Sequence, residues 1–203
     1  MQVKSKYKIC RRLGPGVYEK CQNPKFAVRQ GIRAKSQKSL KRPKPLTGYG
    51  LQLVEKQKIR FSYGISEKQL RNYVSHAVSV KGTTAAHKLY ELLETRLDNT
   101  IYRMGLAETR RKARQMVSHG HILLNNTKNN IPSARVKIGD VITIREGSRG
   151  SALFQNLDKR LADYNTPAWL KFDPKAVRGE ILSLPEQDQT HFDIGTVLEF
   201  YSR

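Results

Sequence analysis

Hydrophobic periodicity changes once along this 203-residue chain, close to Gly120. Before that point, apolar residues recur at the three- and four-residue spacing of helices, as they do at Leu89, Leu92, Leu93 and Leu97. After it they form short strand-like runs, such as Ile122–Leu124 and Val141–Ile144, which are divided by polar turn residues. This order of helices and strands predicts an α+β fold.

Several helices have recognisable first residues. Ser66, Thr84 and Thr109 are suitable N-caps, because a hydroxyl group accepts a hydrogen bond from the free N–H groups of a first turn. We expect helices over 49–62, over 67–79, from Thr84 through an apolar stripe that ends at Leu97, as a short turn capped by Asp98, and over 110–119. Near the end of the chain we expect a short helix over 152–162, an anchor at Pro167–Leu170, and two pairing strands, Ile181–Leu184 and Val197–Tyr201.

Positive charge is concentrated at the N-terminal end. Lysine and arginine outnumber aspartate and glutamate by 38 to 17, a formal net charge of +21, and residues 1–60 alone hold 17 basic and two acidic residues. Such a balance indicates a polyanionic partner, either nucleic acid or an anionic membrane surface. No run of 18 apolar residues occurs, so we expect no membrane-spanning helix. Residues 1–48 also lack a sustained hydrophobic period and are expected to form an extended basic arm, partly irregular, with short helical turns around Tyr18–Lys20 and Phe26–Gln30. We expect its most basic stretch, Arg33–Lys44, to be extended and to become ordered mainly on RNA.

The two cysteines, Cys10 and Cys21, lie in this arm. The N-terminus has no apolar stretch typical of a secretory signal. Two cysteines in such a chain are expected to be free thiols in a reducing compartment. A structural zinc site takes four ligands, and the first histidine is His76. We therefore expect neither a metal nor another cofactor.

The predicted helix over 110–119 has the clearest functional pattern. Its residues Ala113, Met116 and Val117 should face inward. Another face carries Arg110, Arg114 and Ser118, with Arg111 and Gln115 beside them. Guanidinium groups bind phosphate with two hydrogen bonds and stack on bases, and the helix N-terminus at Thr109 attracts an anion. The same surface is expected to include Arg96, Arg103, His119, His121 and Asn125.

A solvated basic helix face is the alternative interpretation of this helix. The basic arm, the N-cap and the absence of acidic residues four positions from these arginines favour RNA. RNA is favoured over DNA because the sequence lacks a dimeric groove-reading motif and has an irregular arm suited to folded RNA.

Several strings resemble a known family. The segments Arg96–Gly105 and Thr109–Ile122 are similar to the RNA-binding module named after the fourth protein of the small ribosomal subunit. Tyr49–Lys58, with the letters YGLQLVEKQK, and Tyr63–Tyr73 resemble segments of that ribosomal protein family outside the module. Ile131–Ser133, Val136-Lys137, Trp169-Leu170 and Glu199–Arg203 agree as well, so the resemblance to the bacterial type of this family covers essentially the whole chain.

The resemblance implies a structural protein of the small ribosomal subunit that binds 16S-type rRNA. It implies a role in nucleating assembly of the 5′ domain, contact with the fifth small-subunit protein in support of decoding accuracy, and a position near the third protein and the channel through which mRNA enters. The protein is then expected in the cytoplasm, with an organellar ribosome left open. Some family members bind zinc through four N-terminal cysteines, a set that this chain lacks.

The resemblance also implies a division of the chain. Residues 1–48 form the basic arm, 49–94 a helical domain completed by 150–203, and 95–149 the inserted RNA-binding module, with two helices packed on a small sheet. Further RNA contacts outside the module are expected at Lys41, Arg42, Lys44, Lys56, Lys58, Arg60 and Arg71.

Two other functions are alternatives for a basic chain with this module. An RNA-modifying or tRNA-charging enzyme needs a separate catalytic domain, and no P-loop, GxSxG or GxGxxG string occurs here. We therefore expect no enzymatic activity. A general nucleic-acid chaperone, or a regulator that binds its own mRNA, stays open as a second role.

Overall fold

The computed structural model describes residues 5–36, 45–151, 153–154, 157, 161, 164–174, 176–186 and 192–202. Helices and one antiparallel sheet confirm the α+β class. The chain divides into two compact units, which we call the N-terminal unit (Met1–Lys81 with Gln189–Arg203) and the module unit (Gly82–Asp188).

The start of the N-terminal unit is helical rather than extended. It contains α1 (Lys6–Leu13), two 3-10 turns (Pro15–Val17 and Glu19–Cys21) and α2 (Pro24–Ser36). The helical turns expected around Tyr18–Lys20 and Phe26–Gln30 overlap the second 3-10 turn and α2. The expectation of an extended arm is wrong for residues 5–36, since α2 continues through Arg33–Ser36, and residues 37–44 lie outside the described residues. A small core explains the difference, because Cys10, Leu13, Val17 and Cys21 are all buried. Their spacing of three and four residues is helical, but the breaker residues Gly14-Pro15-Gly16 interrupt the pattern.

The two cysteines of this small core form a disulfide, so the prediction of free thiols is wrong. Helix α1 and the second 3-10 turn bring the two Cα atoms to 6.4 Å, within the range that a disulfide requires. The sequence contains little indication of this disulfide, because the spacing of two cysteines does not show whether they meet in the fold.

The rest of the N-terminal unit consists of α3 (Gly48–Ser62), α4 (Glu67–Ser79) and a C-terminal helix, which we number α9 (Ile194–Tyr201). The Ser66 cap is confirmed, and Gln69 completes a capping box with it. The strand predicted over Val197–Tyr201 is wrong. The Asp193 carboxylate accepts a hydrogen bond from the Thr196 N–H and begins a helix there, which packs on α3.

The module unit begins with α5 (Ala85–Glu94), α6 (Leu97–Arg103) and α7 (Arg110–Ser118). The N-caps at Thr84 and Thr109 are confirmed by hydrogen bonds to their side chains. The expected cap at Asp98 is wrong, because α6 begins one residue earlier and the Asp98 carboxylate accepts two hydrogen bonds from Arg96 instead.

Five antiparallel strands complete the module unit. They are β1 (Ile122–Leu124), β2 (Thr127–Lys128), β3 (Val141–Ile144), β4 (Leu170–Asp173) and β5 (Arg178–Ile181), in the order β2-β1-β3-β5-β4. A short helix, α8 (Glu146–Arg149), follows β3. The expected strand over 181–184 thus lies earlier, and it pairs with β3 and β4 rather than with the chain end.

One core holds α6 and α7 of the module unit against its sheet. It includes Leu97, Ile101, Met116, Ile122, Ile142, Trp169 and Ile181, all buried. The anchor predicted at Pro167–Leu170 is therefore part of this core through Trp169 and Leu170. The helix predicted over 152–162 falls largely outside the described residues. Within that range, the described residues Phe154, Leu157 and Leu161 are buried.

Candidate nucleic-acid interface

Helix α7 separates an apolar face from a polar one, as its sequence predicts. Ala113, Met116 and Val117 are completely buried. The exposed positions are Arg111, Gln115 and Ser118, with Arg114 half-buried beside them. Thr109 begins the helix, and its Oγ1 accepts a hydrogen bond from the Lys112 N–H at 3.1 Å. Thr109 thus stabilises the first turn of the helix that presents these side chains.

A buried carboxylate holds two of the predicted RNA-binding arginines. Glu94, at the end of α5, is completely buried and accepts hydrogen bonds from Arg103 Nε at 2.7 Å and Arg103 NH2 at 2.9 Å. Arg110 NH2 lies 3.9 Å from Glu94 Oε1. Asn99 bridges the group, because its amide donates to Glu94 Oε2 at 3.0 Å and its Oδ1 accepts from Arg110 Nε at 2.7 Å.

Arg110 is also packed on an aromatic ring. Its guanidinium carbon lies 4.4 Å from the centroid of Tyr102, a cation–π arrangement. Its side chain is 16% exposed and that of Arg103 is 30% exposed. These two arginines therefore line the rim of the interface in fixed orientations. Sequence reasoning missed Glu94 because it lies 16 residues before Arg110, outside any helical neighbourhood.

Arg96 does not lie on an exposed surface. Its side chain is fully buried and forms an ion pair with Asp98 at 2.7 Å. Its backbone bridges to Arg135. An arginine in this position stabilises the start of α6 and is not part of the exposed interface.

The turn after α7 adds further groups. His119 is exposed, and His121 is half-buried with its Nδ1 2.9 Å from Ser148 Oγ. Gly120 adopts a φ of +70°, and the side chain of Lys128 from β2 packs directly against it. The backbone N–H of Arg145 donates to His121 O at 2.9 Å, and the Arg145 side chain is exposed. Sequence reasoning did not assign RNA contacts to Lys128 or Arg145.

We call this combined area the α7 surface. Its exposed or half-buried members are Arg111, Arg114, Gln115, Ser118, His119, His121, Lys128 and Arg145. The four lysine and arginine side chains among them give the α7 surface a positive charge.

Asn125 serves the hairpin turn. Asn125 and Asn126 both adopt positive φ, at 51° and 63°, which is the conformation of a two-residue turn between β1 and β2. The Asn125 side chain donates to Asp140 Oδ1 at 2.8 Å and accepts from the Val141 N–H at 2.9 Å. These bonds fix the hairpin that carries Lys128.

The predicted RNA-binding residues on α3 are largely held by acidic residues. Lys56 is buried, forms an ion pair with Glu67 at 2.8 Å, and lies 4.4 Å from the Phe200 ring centroid. Arg60 also pairs with Glu67, at 3.3 Å, and Lys58 pairs with Glu55 at 2.6 Å. These three therefore stabilise the N-terminal unit.

The remaining predicted RNA-binding residues are Arg71 and a group of three in the arm. Arg71 on α4 is exposed, which leaves its guanidinium accessible to a ligand. Lys41, Arg42 and Lys44 lie outside the described residues.

The Glu67 carboxylate joins α3, α4 and α9. Burial alone would raise its pKa, but hydrogen bonds from Lys56, Tyr201 and Arg60 outweigh that effect, and the pKa of Glu67 lies below its ordinary value. The pKa of Tyr201 is raised, chiefly by burial and then by its 2.7 Å hydrogen bond to Glu67. The cluster thus favours an ionised glutamate and a neutral tyrosine.

Two family models together cover residues 2–142 of the chain. Residues 95–142 match the model described as S4 domain, and residues 2–94 match the model described as Ribosomal protein S4/S9 N-terminal domain. None of the helices in the described part of the chain is both long and apolar enough to span a bilayer.

Curated relatives match over nearly the full length. The small ribosomal subunit protein uS4 of Desulforamulus reducens is 42% identical over 199 residues, which cover 96% of this chain and 95% of the relative. The protein of the same name from Roseiflexus sp. is 41% identical over 200 residues, covering 97% and 96%. That from Streptococcus thermophilus is 48% identical over 161 residues, covering 78% of each chain.

A helical and antiparallel module that presents arginines on one short helix defines an RNA-binding protein of the S4-domain class. Together with the full-length relatives, this shows that the chain belongs to the ribosomal protein S4 family, a family of structural proteins rather than enzymes. The family resemblance noted in the sequence is confirmed.

Proposed function

We propose that this protein is a structural constituent of the small ribosomal subunit and binds 16S-type rRNA through the α7 surface. The observation that carries the proposal is the combination on α7 of a completely buried apolar face with exposed or half-buried arginines on the other side. Because the buried face fixes the helix on the sheet, the guanidinium groups are held ready for phosphate contacts. Ordering them on RNA therefore costs less conformational entropy than ordering an unfolded basic segment.

The α7 surface suits contacts to phosphate and sugar more than reading of base sequence. Arg111, Arg114, Lys128 and Arg145 supply positive charge, which releases counterions from RNA when it neutralises phosphates. Gln115, Ser118 and His119 supply neutral donors and acceptors that fit ribose hydroxyl groups and unpaired bases. Recognition through the shape of folded RNA follows from this mixture.

Arg110 and Arg103 have a different role in the proposal. Because Glu94 and Asn99 hold them, they act as a rigid rim, and their remaining charge strengthens the potential of the α7 surface. Arg71, with Lys41, Arg42 and Lys44, belongs to a second set of contacts made by the N-terminal unit.

The finer role in the ribosome extends the same proposal. We place the protein among those that nucleate assembly of the 5′ domain, beside the fifth small-subunit protein in support of decoding accuracy, and near the third protein and incoming mRNA. The charge distribution supports a protein neighbour, because residues 151–203 hold six basic and eight acidic residues. Such a near-neutral tail suits a protein contact better than phosphate.

Charge reversal tests the proposal. We expect Arg111→Glu with Arg114→Glu to abolish binding of the full-length protein to a 5′-domain fragment of small-subunit rRNA. The matched control is Lys171→Glu with Arg178→Glu, which changes the same charge on exposed residues of β4 and β5, the strands farthest from β1 and β2 in the sheet order. Equal affinity of both double variants would contradict the proposed surface.

A further inference from the structure

A cavity of about 420 Å³ lies in the N-terminal unit, between α1, the second 3-10 turn and the start of α2. Its volume falls within the range typical of small-molecule sites. Its lining includes two aromatic and four cationic side chains, those of Tyr7, Arg11, Lys20, Lys25, Phe26 and Arg29. None of them belongs to the α7 surface or was singled out as an RNA contact above.

Two aromatic rings form one wall of this cavity. Tyr7 and Phe26 stack with their centroids 5.7 Å apart and an angle of 23° between the ring planes. Tyr7 nevertheless remains 45% exposed. A pair of nearly parallel rings with such exposure presents an apolar plane to a ligand, and planar nucleobases stack on such rings.

Four cationic side chains surround this wall. Arg11, Lys20, Lys25 and Arg29 all line the cavity, whereas no aspartate or glutamate is found among its described lining residues. Lys20 Nζ lies 5.7 Å from the centroid of Tyr7, and Arg11 Nε donates to the Tyr7 carbonyl at 3.3 Å. Residues from α1, the second 3-10 turn and α2 therefore place positive charge around the aromatic wall.

The disulfide makes this arrangement rigid. Cys10 neighbours Arg11, and Cys21 neighbours Lys20. The Cys10–Cys21 bond therefore ties together the two segments that contribute these cations. A ligand would meet a cavity that is already formed, which lowers the entropic cost of binding.

We propose that this cavity binds one unpaired RNA nucleotide, with its base against the Tyr7–Phe26 wall and its flanking phosphates at Arg11, Lys25 and Arg29. The inference rests on the proposed function and adds to it a nucleotide-binding cavity in the N-terminal unit. An unpaired nucleotide fits better than an acidic peptide, because the peptide would use the cations and leave the apolar wall without a planar partner.

Photo-cross-linking tests the inference directly. A 5′-domain rRNA fragment substituted with 5-iodouridine is irradiated with the full-length protein, and the cross-linked peptides are identified by mass spectrometry. We expect cross-links at Tyr7 or Phe26. Their absence, while the fragment still cross-links to the α7 surface, would overturn the inference and leave the proposed function standing.

Affinity measurements separate stacking from charge. Loss of one stacked base in Tyr7→Leu should weaken binding about five- to 150-fold with little change in salt dependence. Tyr49→Leu is the matched control, since Tyr49 is 53% exposed and lies outside the cavity. Arg29→Ala should reduce the slope of log K against log salt by about one. Arg12→Ala is the control and should leave the slope unchanged, because Arg12 is exposed and does not line the cavity.

Two outcomes distinguish the remaining alternatives. If Tyr7→Leu binds like the wild type while Arg111→Glu with Arg114→Glu does not bind, the nucleotide site is wrong and the α7 surface is right. If Tyr7→Leu binds a short single-stranded RNA like the wild type, and a polyglutamate peptide binds the wild type more tightly than it binds Arg29→Ala, the cavity is an acidic-peptide site.

Discussion

Replacement of Glu94 by alanine would remove a buried carboxylate that lies against both Arg103 and Arg110. Glu94 accepts two hydrogen bonds from Arg103 and one from Asn99, and it is completely buried. The substitution would remove this acceptor from Arg103 and Asn99 and its negative charge from beside Arg110. The module unit should therefore lose stability.

The magnitude follows from burial of each partner. Removal of one member of a buried ion pair typically costs about 3–5 kcal/mol. Because Arg103 and Arg110 are 30% and 16% exposed, water can solvate part of their charge. We therefore expect Glu94→Ala to lower the free energy of unfolding by about 2–4 kcal/mol. Glu94→Gln, which retains one acceptor oxygen, should cost about half as much.

Urea unfolding followed by Trp169 fluorescence measures this effect. Trp169 is the only tryptophan in the chain and is buried in the core of the module unit. The expected loss lowers the unfolding midpoint by about 1–2 M urea. Glu108→Ala is the control, because Glu108 is 60% exposed and its 3.5 Å pair with Lys112 should contribute less than about 0.5 kcal/mol. Equal midpoints for the two alanine variants would refute this reasoning.

Three further perturbations test the two units separately. The pKa of Glu67 is lowered in the folded protein, so its ionised carboxylate stabilises the fold above the unfolded-state pKa of about 4.3. This stabilisation is lost as pH falls through the folded-state pKa. The stability of Glu67→Gln, followed by circular dichroism, should therefore depend less on pH between about 5 and 3 than that of the wild type. Cys10→Ser opens a loop closed over an 11-residue separation from Cys21 and should lower the free energy of unfolding of the N-terminal unit by about 3 kcal/mol, as should a reductant acting on the wild type. Gly105→Ala should cost about 1–3 kcal/mol in urea unfolding, because Gly105 has a φ of +77° and a new Cβ would lie 2.9 Å from a Tyr164 ring carbon. A Glu67→Gln acid profile identical to that of the wild type, a Cys10→Ser variant as stable as the oxidised protein, or an unchanged midpoint for Gly105→Ala would each contradict the corresponding argument.

Local signals in the sequence predicted most of the helices. Helix α4 and the caps of α5 and α7 could be placed because a hydroxyl residue, a helical hydrophobic period and a terminating residue all lie within one short window. The C-terminal helix α9 was predicted as a strand because its apolar residues are nearly contiguous. Such a run fits either element, and packing against α3 decides between them.

Long-range contacts account for the other differences. The disulfide joins residues whose approach depends on a turn, and β4 and β5 belong to the sheet of the module unit through pairing with β3. At the interface, the outward positions of α7 were predictable from spacing. The contacts of Glu94 were not predictable, because its partners Arg103 and Arg110 come from α6 and α7. The burial of Arg96 was not predicted either, although its ion-pair partner Asp98 lies only two residues away.

The salt dependence of RNA binding tests the central claim, that Arg111 and Arg114 of the α7 surface contact rRNA phosphates. The association constant of the full-length protein for the 5′-domain rRNA fragment is measured across a range of salt concentrations. For Arg111→Ala with Arg114→Ala, we predict that the slope of log K against log salt falls in magnitude by about two. An unchanged slope, equal to that of Lys171→Ala with Arg178→Ala, would contradict the claim.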